Sequence, residues 1–528
     1  MAAGTHHEIE IKLDADPEFT LPDLSGLPGV GSVGRAVEHQ LEATYLDSDD
    51  FRLIRGGTTL RRRTGGDDEG WHLKLKQPIK GDAYSRLEIR KPLGRNVRNV
   101  PPALLGLVRV QLLGAQVAPV ALISTTRTVR ELHAADGTVL AEVADDLVSA
   151  HSLGEKTSVV SWREIEVELV DGDLDLLTVA RERLLAAGAR PSDVQSKIGR
   201  ALAERMGNGA SHPEPAPSKP GKKGRPAEVV AVAPVAAGDL AQDYLAAQFA
   251  QLVAMDPRVR LNTDDAVHQM RVVTRRLRTA LATFRPLFEE GSVTGLRDEL
   301  KWLGSEVLGP VRDTEVIRQK LLTDVGELPA ELVLGPVARR IRLELDAEHK
   351  KAHRRAVAAL DSDRYLALIT ALEQFLAAPP VTARATAPAE RELRRAVRKA
   401  ARRVAAHVAV LEGETVGSPE HDFHLHEVRI KAKRARYAAE AARPVIGKPA
   451  KAVARSMEGI TETLGDHQDG VVERTRLREL AVRAFGEGEN GFTFGLLHGR
   501  IAGAAEHDEK LFAAAWHEAR TALASWPG

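Results

Sequence analysis

The chain reads as a two-domain α+β protein: an N-terminal closed β-barrel with a charged interior, joined to a C-terminal all-α bundle built from an internal duplication. Three observations predict this. Between residues 8 and 169 a series of short segments alternates charged with apolar side chains at period two. Around 208–236 the composition turns to Pro, Gly and Lys, and beyond 237 Ala, Leu, Arg and Glu recur at helical spacing. The expected parts are therefore a domain at 1–207, an extended basic linker at 208–236 and a helical domain at 237–525.

Glu8-Ile9-Glu10-Ile11-Lys12 opens the strand series. Alternate side chains of a strand face opposite ways, so Ile9, Ile11 and Leu13 share one face while Glu8, Glu10 and Lys12 share the other. On one strand this is ordinary solvated alternation. Thr59-Leu60-Arg61-Arg62-Arg63 then puts Arg61 and Arg63 on one face, and Trp71-His72-Leu73-Lys74-Leu75-Lys76 does the same for Lys74 and Lys76. Arg86-Leu87-Glu88-Ile89-Arg90, Thr125–Val129, Leu140–Asp145 and Trp162–Leu169 complete seven or eight strands, the last with Glu164, Glu166 and Glu168 at period two. Repetition with both signs of charge suits a barrel with a wet, charged lumen. Like charges stacked on neighbouring strands repel, so such a lumen calls for counter-ions: a divalent cation on the carboxylates and a phosphate chain on the Arg and Lys side chains.

Composition narrows the alternatives. Hydrophobic residues make up 43% of the 528, enough for real cores. The absence of cysteine excludes disulfides, thiolate zinc sites and a cysteine nucleophile, and fits a reducing compartment. No apolar run approaches the length of a membrane span, and Met1–His7 lacks the regions of a signal peptide, so the expected address is cytoplasmic and no membrane partner is expected. Basic and acidic residues balance at 74 each, and only 4% of the chain is aromatic, which argues against a nucleic-acid binder relying on net charge or base stacking.

The N-terminal segments resemble the CYTH domain of triphosphate tunnel metalloenzymes. The resemblance rests on Glu8-x-Glu10-x-Lys12, Tyr45-Leu46-Asp47, Leu60–Arg63, Leu73–Lys76, Arg86-x-Glu88, Glu164-x-Glu166-x-Glu168 and Ser196-Lys197, in order over about 200 residues. It implies an eight-stranded antiparallel barrel, dependence on Mg²⁺ or Mn²⁺, and hydrolysis or cyclisation of a triphosphate. Carried across, Lys12, Arg61, Arg63, Lys74, Lys76, Arg86, Arg127 and Lys197 would hold phosphates. Glu8, Glu10, Glu88, Glu164 and Glu166, with Glu142 or Asp145, would hold metal and orient water; the catalytic set would be Glu8, Glu10, Lys12 and Glu166. One departure stands out: Arg90 occupies a position where many relatives carry a second acid. Either the metal set is reduced, or Arg90 turns outward and another acid substitutes.

In the helical half, His268-x-x-Arg271-Val272-x-x-Arg275-Arg276-x-Arg278 is repeated as His426-x-x-Arg429-Ile430-x-x-Lys433-Arg434-x-Arg436. Leu308–Asp313 and Leu464–Asp469 follow their histidines at similar intervals. At about 100° per residue, His268, Arg271, Arg275 and Arg278 fall within an arc of roughly 80°, opposite Met270, Val273, Leu277, Leu281 and Phe284. One face packs and the other is a cationic stripe. Neither histidine has a second ligand one turn away, so an imidazolium with a raised pKa, poised against phosphate, is expected in preference to a metal ligand. The repeat resembles the CHAD domain, which implies binding of inorganic polyphosphate by His, Arg and Lys, with Asp313 and Asp469 as structural partners. The two halves together point to a metal-dependent phosphohydrolase of inorganic triphosphate or polyphosphate, associated in the cytoplasm with polyphosphate granules. A CYTH-type adenylate cyclase and a non-catalytic polyphosphate-binding scaffold are the alternatives.

Overall fold

In the computed structural model the described residues are 5–77, 84–94, 99–154, 157–194, 196–207, 235–411, 413–415 and 418–526. The predicted linker falls almost wholly outside them. The chain divides into two compact units, Met1–Arg225 and Pro226–Gly528.

Eight strands form the first unit: β1 (Thr5–Ala15), β2 (Val37–Asp47), β3 (Thr58–Thr64), β4 (Gly70–Gln77), β5 (Tyr84–Lys91), β6 (Ala118–His133), β7 (Val139–Ser152) and β8 (Val159–Leu169). They run in the order β1-β5-β4-β3-β2-β6-β7-β8, each antiparallel to the next, and β8 returns to β1 to close the barrel. Two-residue strands at Ser32–Val33 and Arg190–Pro191 extend β6 and β1. Helices α1 (Arg52–Arg55), α2 (Pro102–Leu112), α3 (Leu174–Ala186), α4 (Lys197–Ala201) and α5 (Ala203–Met206) lie around the barrel.

Period-two alternation decides which way each strand faces. Ile11 and Leu13 of β1, Val143 of β7 and Ile165 and Val167 of β8 turn outward and pack under Leu176, Leu177, Ala180 and Leu184 of α3. Burying each such aliphatic side chain contributes about 1.5–3 kcal/mol. Asp173 starts α3 by accepting the Leu176 amide at 2.9 Å. At one end of the barrel, Ile198, Ala201 and Leu202 pack against Ala43, Tyr45, Ile123 and Val148, so α4 and the turn after it floor the lumen. Asp47 fixes the corner after β2, its carboxylate accepting the amides of Ser48 (2.7 Å), Leu53 (2.9 Å) and Ile54 (2.9 Å).

The second unit is helical: α6 (Ala237–Arg260), α7 (Ala266–Thr283), α8 (Thr294–Lys301), α9 (Gly309–Gly326), α10 (Val337–Leu360), α11 (Asp363–Ala377), α12 (Ala389–Leu411), α13 (Pro419–Ile446), α14 (Lys448–Gly486) and α15 (Phe492–Ala524). A π-helical turn at Trp302–Val307 joins α8 to α9. One core gathers Leu321, Ile341, Leu345, Leu477, Leu480, Phe494 and Leu497 from α9, α10, α14 and α15. On α7, Met270, Val273, Leu277, Leu281 and Phe284 are all buried, which leaves the basic positions for the other side. Ser418 caps α13 by accepting the His421 amide at 3.1 Å. Among the described residues no helix is long and apolar enough to cross a membrane.

Candidate active site

The inward face of the barrel encloses a cavity of about 810 Å³ lined by charge of both signs. β1 supplies Glu8, Glu10 and Lys12; β3 supplies Arg61 and Arg63; Lys74, Arg86, Arg127 and Glu166 come from β4, β5, β6 and β8, and Lys197 from the start of α4. Register explains the meeting. Glu8 lies opposite Arg86, Lys12 opposite Glu166 and Arg127 opposite Asp146, while Tyr45 lies opposite Arg61.

Within the lumen, acids and bases neutralise one another. Lys197 Nζ reaches Glu164 (2.6 Å), Asp146 (2.8 Å) and Glu166 (2.9 Å). Arg127 forks onto Asp146 at 2.8 and 2.6 Å. Lys74 donates to both oxygens of Glu8 at 2.7 and 2.8 Å, and Lys12 pairs with Glu166. Burial alone raises the Glu166 pKa, but Lys12, Lys197 and Arg127 outweigh it and hold the carboxyl well below the usual range. Lys197, despite a burial effect of the opposite sign, is held well above the ordinary lysine value by Asp146, Glu164 and Glu166. Glu168 behaves differently: burial, then repulsion from Glu8, pushes it up to about 8.

Residues that could hold a divalent cation are present. Oxygens of Asp146, Glu164 and Glu166 lie within 4.8 Å of one another, all three residues being buried. Glu10 Oε1 is buried and receives no hydrogen bond among the described residues, with Lys12 and Arg86 no nearer than 3.5 and 3.7 Å. An all-oxygen donor set with an unsatisfied carboxylate oxygen fits a hard cation such as Mg²⁺ or Mn²⁺.

Several sequence expectations need correction. Asp145 faces outward, bound by Arg163 at 2.9 and 2.8 Å; its neighbour Asp146, fully buried, is the inward acid. The missed signal was parity: Asp146 follows Glu142 by four residues on one strand face, and the segment as read stopped one residue short. Glu142 lines the cavity but its side chain is exposed. Lys76 is exposed at the end of β4 and is not among the lining residues. Arg90 does not turn outward. It lines the cavity, paired with Glu88 and within 3.8 and 4.0 Å of Asp68 and Glu8. Glu88 is fully buried beneath these cations, with His72 Nδ1 at 2.7 Å, Lys74 at 3.7 Å and Arg61 at 3.9 Å, and does not itself line the cavity. Asp68, which pairs with Arg63, and His72 were not foreseen because both serve Glu88 and its neighbours from the turn side of β4.

The duplicated helical motif also comes together, though not symmetrically. Arg278 of α7 is lowered by burial and then by Arg434, Arg275 and Arg297, and Arg434 of α13 by burial and then by Arg297. Lowering by neighbouring cations is what side chains of like charge that face shared space produce. Lys433 sits within range of Arg429, Arg275 and Arg271. Two members of the motif leave the cluster: Arg276 lies 3.4 Å from Glu440, and Arg436 pairs with Glu440 (2.9 Å) and Glu458 (2.6 Å). The motif thus spends its position 8 on an ion pair in the first copy and its position 10 in the second. Arg271 binds Asp313 at 3.0 Å and the Gly309 carbonyl at 3.2 Å, and the Arg429 guanidinium lies over Gly465, where a Cβ would stand 2.9 Å away. The pKa of His268 is lowered, not raised as expected, because burial and Arg312 outweigh Asp265. His426 Nδ1 is buried with no hydrogen-bond partner among the described residues. Side chains of 466–468 lie outside the described residues. Arg297 was missed because it belongs to α8, outside the repeat.

Comparison with known proteins agrees with both halves. Family models for the CYTH domain and the CHAD domain match residues 6–196 and 243–478. The uncharacterized protein Rv2226 of Mycobacterium tuberculosis is 37% identical over 526 residues, covering 97% of this chain and 96% of the relative. Among solved structures, PptA from Streptomyces chartreusis is 23% identical with a TM-score of 0.43, covering 54% of this chain and all of that one. The CHAD domain from Ricinus communis is 22% identical with a TM-score of 0.42, covering 56% of this chain and 97% of that one. With a CYTH barrel followed by a CHAD helical domain, and a relative alike along nearly its whole length, the chain belongs to the family of CYTH–CHAD proteins.

Proposed function

We propose that the barrel is a metal-dependent hydrolase of inorganic triphosphate or of polyphosphate ends, and that the helical unit binds polyphosphate. CYTH proteins as a superfamily are metal-dependent hydrolases or cyclases of phosphate chains. The observation that carries the finer reading is the meeting, in one closed lumen, of Lys12, Arg61, Arg63, Lys74, Arg86, Arg127 and Lys197 with Glu8, Glu10 and Glu166. A small polyanion is the ligand for which that many inward cations are useful, and acids among them would only repel it unless a cation bridges the two.

Glu8, Glu10, Asp146, Glu164 and Glu166 are the residues that would hold the cation, which when bound supplies charge neutralisation at the phosphate and a more acidic water. The arginines and lysines grip successive phosphoryl groups and fix them in line, exchanging their present carboxylate partners for phosphate oxygens. Lys197 and Lys12, at the floored end beside Glu166, neutralise charge where the innermost phosphate would lie. Glu166, held ionised at neutral pH, can accept a hydrogen bond from water; Glu168, raised to about 8, carries a proton it can donate.

The test is phosphate release from tripolyphosphate, long-chain polyphosphate and ATP with Mg²⁺ or Mn²⁺. The expected result is metal-dependent release from tripolyphosphate, with a higher metal requirement in Glu10→Gln. Cyclic AMP from ATP, or no release with any metal, overturns it.

A further inference from the structure

Arg61 of β3, His72 of β4 and Arg90 of β5 are cross-strand neighbours in one row of the sheet. Arg61 and Arg90 line the lumen, whereas His72, 1% exposed, lies within its wall. The imidazole is spanned between two fixed groups: Nε2 is 2.9 Å from the Asp68 carbonyl oxygen and Nδ1 is 2.7 Å from Glu88 Oε1. Glu88, fully buried two residues before Arg90 on the same strand face, accepts Arg90 Nε on its other oxygen, Oε2. A backbone carbonyl, an imidazole, a carboxylate and a guanidinium are thus linked in series.

The linkage gives the guanidinium a direction. Tying Nε to Glu88 leaves the two terminal nitrogens aimed past it, and among the described residues neither makes a hydrogen bond. Nη2 stands 3.8 Å from Asp68 and 4.0 Å from Glu8, beyond hydrogen-bond distance. Arg127, by contrast, has Nη2 committed to Asp146 and Glu166. The Arg90 side chain is also 40% exposed, against 2% for Glu8. On β5, Ile89 lies opposite Thr5, so Arg90 stands beyond the start of β1, at the end of the lumen away from Lys12 and the α4 floor.

We propose that Arg90 binds the phosphoryl group farthest from the floor, and that His72 and Glu88 are positioning residues that hold its guanidinium for that contact. A planar fork anchored along one edge presents its remaining N–H groups to phosphate oxygens without first having to be ordered. Buried partners that lock the side chain supply that order in advance. Arg90 then discriminates by chain length. A diphosphate seated among Lys12, Arg127 and Lys197 at the floor does not reach it, and a triphosphate or longer chain does. The inference rests on the barrel being a phosphate-chain hydrolase, as proposed above.

The test is steady-state hydrolysis of tripolyphosphate by the full-length protein with Mn²⁺, with pyrophosphate as a competing inhibitor. Arg90→Ala should raise KM for tripolyphosphate by about tenfold, the loss that a charge-assisted contact brings, and by more than it lowers kcat. The inhibition constant of pyrophosphate should stay nearly unchanged. Arg90→Lys keeps a counter-charge for Glu88 but has no second edge with which to serve phosphate as well, so KM should still rise several-fold. His72→Gln should raise KM several-fold by itself and add little to Arg90→Ala, because nothing is left to position once the guanidinium is gone. An unchanged KM in both Arg90 variants, or equal weakening of pyrophosphate and tripolyphosphate, overturns the proposal while hydrolysis by the parent protein upholds the reading of the barrel. Fully additive losses in the double variant overturn the positioning role of His72. If the parent protein releases no phosphate from tripolyphosphate, the reading of the barrel falls first and this inference with it.

Discussion

Lys197 Nζ lies 2.6 Å from Glu164 Oε1 and so ties the helix that floors the barrel to the strand that closes it. The same ammonium neutralises Asp146 and Glu166. Lys197→Met therefore leaves three buried carboxylates short of a counter-charge, a change that costs about 3–5 kcal/mol when a buried ion pair loses one partner. Chemical denaturation should record that loss, and tripolyphosphate hydrolysis should disappear. If excess Mn²⁺ restores most of the stability, the acids are accessible to a cation, as the proposed chemistry requires. A variant as stable as the parent without metal would show that Lys197 is not the counter-ion described here.

Glu10 offers a sharper test of metal binding, because its Oε1 is buried without a hydrogen bond among the described residues. Glu10→Gln keeps the shape and removes the charge. The Mn²⁺ concentration for half-maximal activity should rise at least about tenfold, by analogy with the loss seen when supporting ligands of metal sites are removed. Isothermal titration with Mn²⁺ checks the affinity apart from turnover, and an unchanged binding isotherm would remove Glu10 from the set.

The pH dependence of barrel stability follows from opposed shifts. Glu166, Glu10 and Asp146 have folded-state pKa values below their ordinary ones, so their stabilisation is complete above about pH 4.5 and is lost as pH falls through the folded values. Lys197 and Lys12 are raised; their contribution is complete below about pH 10 and is lost as pH rises through the folded values. Glu168 runs the other way from its fellow glutamates. Raised to about 8, it contributes nothing below about pH 4.5, costs the folded state progressively more as pH rises from there to about 8, and keeps that full cost at higher pH. Glu168→Gln should therefore raise the melting temperature on the alkaline side of pH 8 and leave it nearly unchanged near pH 4.5. Parallel melting curves for the two proteins at both pH values test this, and identical curves at alkaline pH would falsify it.

Sequence alone carried the barrel and most of its lining, because a strand leaves only one choice of face and the charged residues kept to it over many strands. Glu8, Glu10 and Lys12 face in for the same reason that Ile11 and Leu13 face out under α3. What stayed hidden depends on where a strand ends and on what a long side chain can reach. Asp145 and Asp146 differ only in parity, and only the register opposite Arg127 separates them. Arg90 looked like a break in the acid set, yet its reach to Glu88 on its own strand, to Glu8 on the paired strand and to Asp68 is set by tertiary placement. In the helices the repeat was plain, but which basic positions meet depended on Glu440, an acid that pairs with a residue of each copy.

That asymmetry yields the last prediction. Arg275 and Arg276 are adjacent in sequence and identical in charge, but Arg275 belongs to the cluster that acts on Arg278 and Lys433, whereas Arg276 lies against Glu440. Removing Arg275 takes a cation from the shared space; removing Arg276 takes one from an ion pair that already neutralises it. Arg275→Ala should weaken polyphosphate binding by about tenfold and flatten its dependence on salt, since fewer counter-ions are then displaced from the polyanion. Arg276→Ala should change affinity by less than about twofold and lower stability by no more than about 1 kcal/mol, the range for a partly exposed pair. Titration calorimetry at two salt concentrations separates the cases. Equal losses from both substitutions would mean that the bound chain reaches the Glu440 side, and the cluster would have to be redrawn to include Arg276 and Arg436.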